Sequence, residues 1–117
     1  MYMLVNKDLK MSPGKIASQV AHGIHHVVHN IFIDASTSTS TETKESFEKY
    51  NAWCVKPKIV SLYATQLEMD KYIDNSGHKC VFIRDAGKTQ VLPNSLTIVC
   101  FHSSCTLSDE MKKYKLL

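Results

Sequence analysis

The sequence predicts a single α/β domain over residues 1–117, with a small mixed four-stranded sheet and helices on both faces. Short apolar runs of strand length alternate along the chain with segments of helical periodicity, which is the α/β pattern. The chain of 117 residues suits one domain with a core and is short for two. Its apolar fraction of 44% and charged fraction of 21% are ordinary for a globular protein, which excludes a disordered chain.

The first strand and helix are the clearest elements. Residues 2–5 form an apolar run, and the polar turn Asn6-Lys7-Asp8 follows. Ser12 is a good N-cap and Pro13 fits the first helical position. The helix should bury one apolar stripe, formed by Ile16, Val20, Ile24, Val27, Val28 and Ile31.

The middle of the chain predicts a linker, a helix and a strand. Residues 36–41 alternate serine and threonine, which is typical of a mobile linker. Residues 42–53 carry aromatic side chains at i, i+3 and i+6, which favours a helix with a packing stripe. Residues 59–64 form a β-rich apolar run, the second strand.

The last third predicts two helices and two strands. Thr65 and Glu68 have capping-box spacing for a helix that closes near Gly77. Residues 80–83 and 96–101 are apolar runs and should be the third and fourth strands. A short final helix should begin after Thr106.

One face of the first helix is polar and begins with an unusual cation. Lys15, Gln19, His22 and His26 share this face, and Lys15 lies in the first turn. A helix N-terminus carries partial positive charge, so a lysine there costs about 0.3–1 kcal/mol. The pattern predicts an anionic partner, although a solvated face with a mildly unfavourable lysine is the structural alternative.

The third strand runs directly into a polar loop, Arg84-Asp85-Ala86-Gly87-Lys88-Thr89. Loops that leave strand ends in α/β sheets commonly bind ligands. A carboxylate such as Asp85 could act there in catalysis, or could form a structural salt bridge with Arg84, Lys88 or Lys15.

Charge and cysteine content limit the possible functions. The net charge of +3 is too small to argue nucleic-acid binding alone, but lysines near the first helix, the later turn and the chain end could neutralise phosphates if they converge. The four cysteines lack metal or redox spacing, so we expect reduced thiols, with Cys80 and Cys100 in the core. No apolar run is long enough to span a bilayer, so we expect no membrane contact and a cytoplasmic setting.

Two sequence blocks resemble the archaeal and eukaryotic class of peptidyl-tRNA hydrolases. The blocks are Asp8-Leu9-Lys10-Met11 with Gly14, Lys15, Ala17, Gln19 and His22, and Asp85-Ala86-Gly87-Lys88-Thr89-Gln90. The resemblance implies hydrolysis of the ester between a peptide and the terminal ribose of tRNA, without cofactor or catalytic metal, by a possible homodimer. The implied catalytic residues are Lys15, Asp85, Thr89 and Thr97. The candidate substrate-binding residues are Lys7, Lys10, Gln19, His22, Arg84 and Lys88.

The chemistry of these residues suits ester hydrolysis. Asp85 could orient or deprotonate the attacking water, and Lys15 could oppose the developing oxyanion. Thr89 and Thr97 could donate hydroxyl hydrogen bonds, and a threonine nucleophile is a less favoured alternative. His22, His25, His26 and His29 have spacing that could surround a metal, but we expect only a polar histidine face.

The chain departs from the family pattern at two places. Asn6 stands where a basic residue is common, which weakens one possible phosphate contact. Residues 101–104 stand where a glycine-rich turn is usual, which places substrate contacts of that loop in doubt. These departures motivate the alternative function: a catalytically weak or inactive tRNA-binding or protein-adaptor module on the same fold.

Overall fold

The computed structural model describes residues 1–74, 79–88 and 90–117. A short 3-10 helix, Lys7–Leu9, follows the first strand. The elements in chain order are β1 (Tyr2–Asn6), α1 (Pro13–Thr37), α2 (Thr41–Val55), β2 (Val60–Ala64), α3 (Gln66–Asp74), β3 (Cys80–Arg84), β4 (Leu96–Phe101), α4 (Ser108–Met111) and β5 (Lys115–Leu116). The α/β prediction is therefore confirmed. The predicted closure of the third helix near Gly77 lies outside the described residues.

The strands form one mixed sheet in the order β3-β4-β1-β2-β5. β1 and β2 are parallel, whereas β4 is antiparallel to both β1 and β3. The carboxyl ends of β1, β2 and β3 therefore meet at one edge of the sheet, together with the amino end of β4. We call this the carboxyl edge.

The sheet has one strand more than the sequence predicted. β5 pairs with β2 through Leu116 opposite Leu62 and Lys115 opposite Tyr63. β5 contains two residues, and both are exposed. It therefore shows neither a run of apolar residues nor the alternation of apolar and polar residues that would predict a strand.

The connection between α1 and α2 is shorter than predicted. Ser36 and Thr37 belong to α1, and both hydroxyls donate to the carbonyl of Ile33. Thr41 already belongs to α2, whose N-cap is Ser40. The prediction of a linker over residues 36–41 is wrong at both ends, because hydroxyl side chains can also bond within or cap a helix.

The sheet separates two cores, so the prediction of helices on both faces is confirmed. Val27 and Ile31 of α1 pack with Met3, Val5 and Ile98 on one face, where the aromatic stripe of α2 covers them. Leu4, Val99 and Phe101 face the other side, towards α3 and α4. Cys100 is buried and Cys80 is half-buried, as predicted, and the four cysteines form no disulfide within the described chain.

A β-bulge on β4 determines which way Thr97 points. Ile83 pairs with Ile98, but the next residue, Arg84, pairs with Leu96, so Thr97 is the extra residue of β4. Ile98 packs in the core beneath α1, and the Thr97 hydroxyl also contacts α1. Thr97 and Ile98 therefore face the same helix although they are consecutive.

Close packing of α1 on β4 depends on Gly23. A Cβ at Gly23 would lie 3.0 Å from the Cβ of Cys100 and 3.4 Å from a methyl group of Ile98. The absence of a side chain therefore sets how near α1 approaches the sheet.

Gly23→Leu should lower the free energy of unfolding by roughly 1–3 kcal/mol, because it overpacks this contact. The loss should occur although leucine gains about 0.8–1 kcal/mol of helix propensity over glycine. Ala21→Leu, at an exposed position of the same helix, is the matched control. Urea unfolding measures both variants, and equal stability would show that Gly23 does not set the packing distance.

Candidate active site

A buried ion pair joins the start of α1 to the end of β3. Ser12 caps α1 by accepting a hydrogen bond from the Lys15 backbone N–H, which places Lys15 in the first turn. The Lys15 Nζ donates to Asp85 Oδ1 at 2.6 Å. The two side chains are only 10% and 8% exposed. The anionic partner expected for Lys15 is therefore Asp85, at the carboxyl edge.

Both oxygens of the Asp85 carboxylate are held in place. Gln19 Nε2 donates to Oδ1 at 3.3 Å, and the Gly87 backbone N–H donates to Oδ2 at 2.7 Å. The hydrogen bonds from Lys15 and then Gly87 hold the pKa of Asp85 below its usual range, and the charges of Lys15 and His22 add to this effect. Asp85 is therefore an anion at neutral pH.

Thr97 reaches this carboxylate through Gln19. Its hydroxyl donates to Gln19 Oε1 at 2.7 Å and lies 3.0 Å from the Ile83 carbonyl. Because the amide nitrogen of Gln19 donates to Asp85, its oxygen is the atom that accepts from Thr97. Thr97 has no exposed surface, so its hydroxyl contacts protein rather than solvent.

Gln90 fastens the loop after Asp85 onto the start of α1. Its Oε1 accepts from the Ser12 backbone N–H at 2.8 Å, and its Nε2 donates to Ser12 Oγ at 2.7 Å. Gln90 has a φ of 56°, in the left-handed region. In the sequence, the signal for Gln90 is its position at the end of the second motif block.

A tight turn shapes the same loop. Gly87 has a φ of 78°, and a Cβ there would lie 2.5 Å from the Pro93 nitrogen. The backbone of Asp85 is bonded on both sides, to the Asn94 N–H at 2.7 Å and the Ser95 carbonyl at 3.0 Å. The carboxylate is thus presented by a rigid backbone.

The structure brings together four of the predicted site residues: Lys15, Gln19, Asp85 and Thr97. His22 is exposed, one helical turn beyond Gln19.

The other candidates lie around this centre. Lys7, Lys10 and Lys88 are exposed on loops of the carboxyl edge. Arg84 instead donates to the Asn94 carbonyl at 3.1 Å, which ties it to the turn. Thr89 lies outside the described residues.

The two departures from the family pattern leave the Lys15–Asp85 pair intact. Asn6 is 1% exposed, and its Nδ2 donates to Gln66 Oε1 and to the Leu96 carbonyl. Its side chain therefore joins the end of β1 to α3 and β4. Phe101 is the last residue of β4, and residues 102–104 follow it at the edge of the sheet opposite Asp85.

The histidine face of α1 is exposed. His25 and His29 stack with their ring centroids 6.1 Å apart. Within residues 1–74, 79–88 and 90–117, no three histidine, cysteine or acidic residues are placed to hold a metal. The same residues include no helix with the length and apolar character needed to cross a membrane.

The fold and the site together define a small α/β enzyme whose centre pairs an ammonium with a carboxylate. A family model for peptidyl-tRNA hydrolase PTH2 matches residues 1–117. The chain belongs to this family, as its motifs indicated.

The chain is similar to peptidyl-tRNA hydrolases of two archaea and a mammal. The chain is 38% identical over 98 residues to the peptidyl-tRNA hydrolase of Methanococcus maripaludis strain C7, which covers 83% of this chain and 78% of that one. It is 38% identical over 101 residues to the peptidyl-tRNA hydrolase of Sulfolobus acidocaldarius, with coverage of 83% and 80%. Peptidyl-tRNA hydrolase 2, mitochondrial, of Mus musculus is 28% identical over 102 residues, which cover 85% of this chain and 51% of the mouse protein.

The Lys15–Asp85 pair should make stability depend on pH in a defined direction. A carboxyl whose pKa is lowered by folding stabilises the fold above its unfolded pKa of about 3.9, and this contribution is lost as pH falls through the folded pKa. Asp85→Asn should therefore unfold at lower urea than the wild type at pH 7, and the two midpoints should converge below about pH 4.

Asp109→Asn is the control, because Asp109 is 95% exposed and pairs with Lys112 at the surface. Its midpoint should stay close to that of the wild type at every pH. A gap between Asp85→Asn and the wild type that does not change with pH would contradict a role for the Asp85 charge.

Proposed function

We propose that this protein hydrolyses the ester bond of peptidyl-tRNA, and that Lys15 and Asp85 act directly on the reacting groups. The observation that carries the proposal is the buried ion pair at the start of α1, in a chain of the peptidyl-tRNA hydrolase PTH2 family. The pair lies at the carboxyl edge, where open α/β sheets bind their ligands.

Lys15 is suited to stabilise the oxyanion. Attack on the ester carbonyl places negative charge on its oxygen, and an ammonium beside a helix N-terminus opposes that charge. The neighbouring Gly14 is exposed, and apart from its chain neighbours and the backbone of its own helix no described atom lies within 4 Å of the point where a Cβ would be. A substrate carbonyl can therefore approach the first turn of α1 closely.

Asp85 is suited to orient the attacking water. Its lowered pKa keeps it ionised and makes it a weak base, so holding the water contributes more than removing its proton. Oδ2 accepts one hydrogen bond from Gly87 and has a second lone pair for water. The water oxygen bonds to the carbonyl carbon, and the bond between that carbon and the ribose oxygen breaks. One proton of the water passes to the ribose oxygen, and the peptide leaves as a carboxylic acid that then ionises in solution.

Thr97 acts as a positioning residue for Gln19. Its buried hydroxyl cannot reach a substrate, which argues against Thr97 as a nucleophile. It holds the Gln19 amide so that the nitrogen faces Asp85. Thr89 remains a catalytic candidate on the motif alone.

The surroundings of the site suit an anionic RNA substrate. Lys7, Lys10 and Lys88 are exposed at the carboxyl edge and His22 is exposed on α1, and all four are proposed to contact the acceptor end of the tRNA. Arg84 contributes indirectly through the turn that it bonds.

We also propose a cytoplasmic setting, which reduced cysteines fit, and a homodimer. Fluorescence localisation of the tagged chain and sedimentation velocity test these two proposals.

Lys15→Ala should lower kcat for peptidyl-tRNA by roughly 10²–10³-fold, the usual cost of losing one group that stabilises an oxyanion. Release of free tRNA from labelled peptidyl-tRNA measures it. Lys56→Ala, an exposed lysine beyond α2, is the control and should match the wild type.

Lys15→Ala leaves the Asp85 carboxylate buried without this cation and can weaken the fold. The double variant Lys15→Met/Asp85→Asn removes both charges and keeps the side-chain volume, so it should be folded and inactive. Activity of this double variant near the wild-type level would refute the proposed roles. Wild-type protein that binds peptidyl-tRNA but releases no tRNA above the buffer rate would instead identify a binding module.

Thr97→Val should lower kcat by about tenfold with little change in KM, because Gln19 loses the partner that orients it. Thr97→Ser keeps the hydroxyl and should recover most of the activity. If serine and valine variants of equal thermal stability were equally slow, the loss would be one of packing rather than of the hydrogen bond.

A further inference from the structure

A cleft of about 280 Å³ lies at the carboxyl ends of β1 and β2, beside the candidate active site. It is lined by Lys7, Tyr63, Glu68, Lys113, Tyr114 and Lys115. The three lysines are exposed and come from both ends of the chain. We call this the lysine cleft. In the sequence, Lys113 and Lys115 belong to the group of lysines near the chain end.

Among the described residues that line the lysine cleft, Glu68 supplies the one carboxylate, and this carboxylate already accepts hydrogen bonds from Thr65. Glu68 Oε1 accepts two hydrogen bonds from Thr65, one from its N–H and one from its hydroxyl, both at 3.0 Å. The Thr65 N–H is the main reason that the pKa of Glu68 is lowered, and Lys7 and Lys113 contribute smaller effects from two sides. Three ammonium groups against one capped carboxylate leave the cleft positive.

The fold fixes the backbone beneath these lysines. Lys115 lies in β5, paired with Tyr63 of β2. Lys113 Nζ lies 5.1 Å from the centroid of the Tyr114 ring, and the buried Tyr114 hydroxyl lies 3.1 Å from that of Tyr72. The short fifth strand therefore positions Lys115 at the carboxyl edge, and the anchored Tyr114 ring positions Lys113 beside it.

The lysine cleft and the ion pair are separated along one edge. β2 is three strands from β3 in the sheet, which is about 15 Å at the usual strand spacing. Lys10, after the 3-10 helix, lies on the loop that connects the end of β1 to the start of α1. Basic groups thus continue from the ion pair to the lysine cleft.

We propose that the lysine cleft binds phosphates of the tRNA acceptor stem while the ester at its 3′ end lies against Lys15. This rests on the proposed function and adds Lys113 and Lys115 to the substrate contacts. Separate, exposed lysines along one edge of the sheet suit successive phosphates of a nucleic-acid backbone.

The test compares Lys113→Gln/Lys115→Gln with the wild type, because glutamine removes the charge and keeps much of the side chain. The matched control is Lys56→Gln/Lys58→Gln, which removes two lysines at the amino end of β2, the opposite edge. KM and kcat are measured with full-length peptidyl-tRNA and with a peptidyl ester of a short oligonucleotide that lacks the stem. Affinity for deacylated tRNA is measured at several salt concentrations.

The lysine-cleft variant should raise KM for peptidyl-tRNA roughly tenfold with kcat within about twofold, since each lysine neutralises a phosphate. The logarithm of the affinity falls linearly with the logarithm of the salt concentration. The steepness of this line should decrease by about 1.8 in the variant, which is about 0.9 for each of two lost phosphate contacts on a duplex. With the short ester, the KM of the lysine-cleft variant should equal that of the control variant.

Different results would overturn the role of the lysine cleft and the proposed function. If wild-type protein hydrolyses peptidyl-tRNA and the cleft variant equals the control in KM and salt slope, the lysine cleft does not bind the stem and the proposed function stands. An equal loss on both substrates would place the damage in the active site and would also overturn the proposal. If the wild type hydrolyses nothing, the function fails, and the tRNA affinities alone decide the role of the cleft.

Discussion

The structure depends on an ion pair that compensates an unfavourable charge. Lys15 places a cation in the first turn of α1, where the helix dipole opposes it. The carboxylate of Asp85, 2.6 Å away, supplies the missing negative charge. Because both side chains are nearly enclosed, each would be a costly buried charge without the other. The pair thus joins the start of α1 to the end of β3, next to the exposed Gly14.

Two side-chain contacts around this pair join distant parts of the chain. Gln19 and Thr97 are 78 residues apart, as are Ser12 and Gln90. The site therefore exists only when the loop after β3 is seated on α1. Once seated, its dipoles are aligned before a substrate arrives, which is the condition for electrostatic catalysis without reorganisation. The lowered pKa of Asp85 fits the role proposed for this carboxylate, because a carboxylate with a low pKa is a weak base.

Local patterns predicted most of the fold and the centre of the site. Periodicity predicted α1 and α2, and the cap at Ser12 predicted the start of α1. The family resemblance pointed to Lys15, Gln19 and Asp85, which the structure brings together. Long-range geometry supplied the rest. β5 has too few residues to carry a pattern and is defined by its pairing with β2. The burial of Thr97 follows from a bulge that strict alternation along β4 does not show. The clamp by Gln90 required a left-handed residue, which single-residue preferences disfavour.

The chain path explains why the carboxyl edge holds both the ion pair and the lysine cleft. After β1 the chain passes to α1 on one face of the sheet, and after β2 it passes to α3 on the other face. Loops that leave neighbouring parallel strands towards opposite faces open a crevice between them. The turn after β1 lies in this crevice and carries Lys7 and Lys10. β5 then extends the edge beyond β2 and adds Lys115. The carboxyl edge therefore carries exposed lysines from the end of β1 to β5, and the proposed tRNA contacts rest on this arrangement.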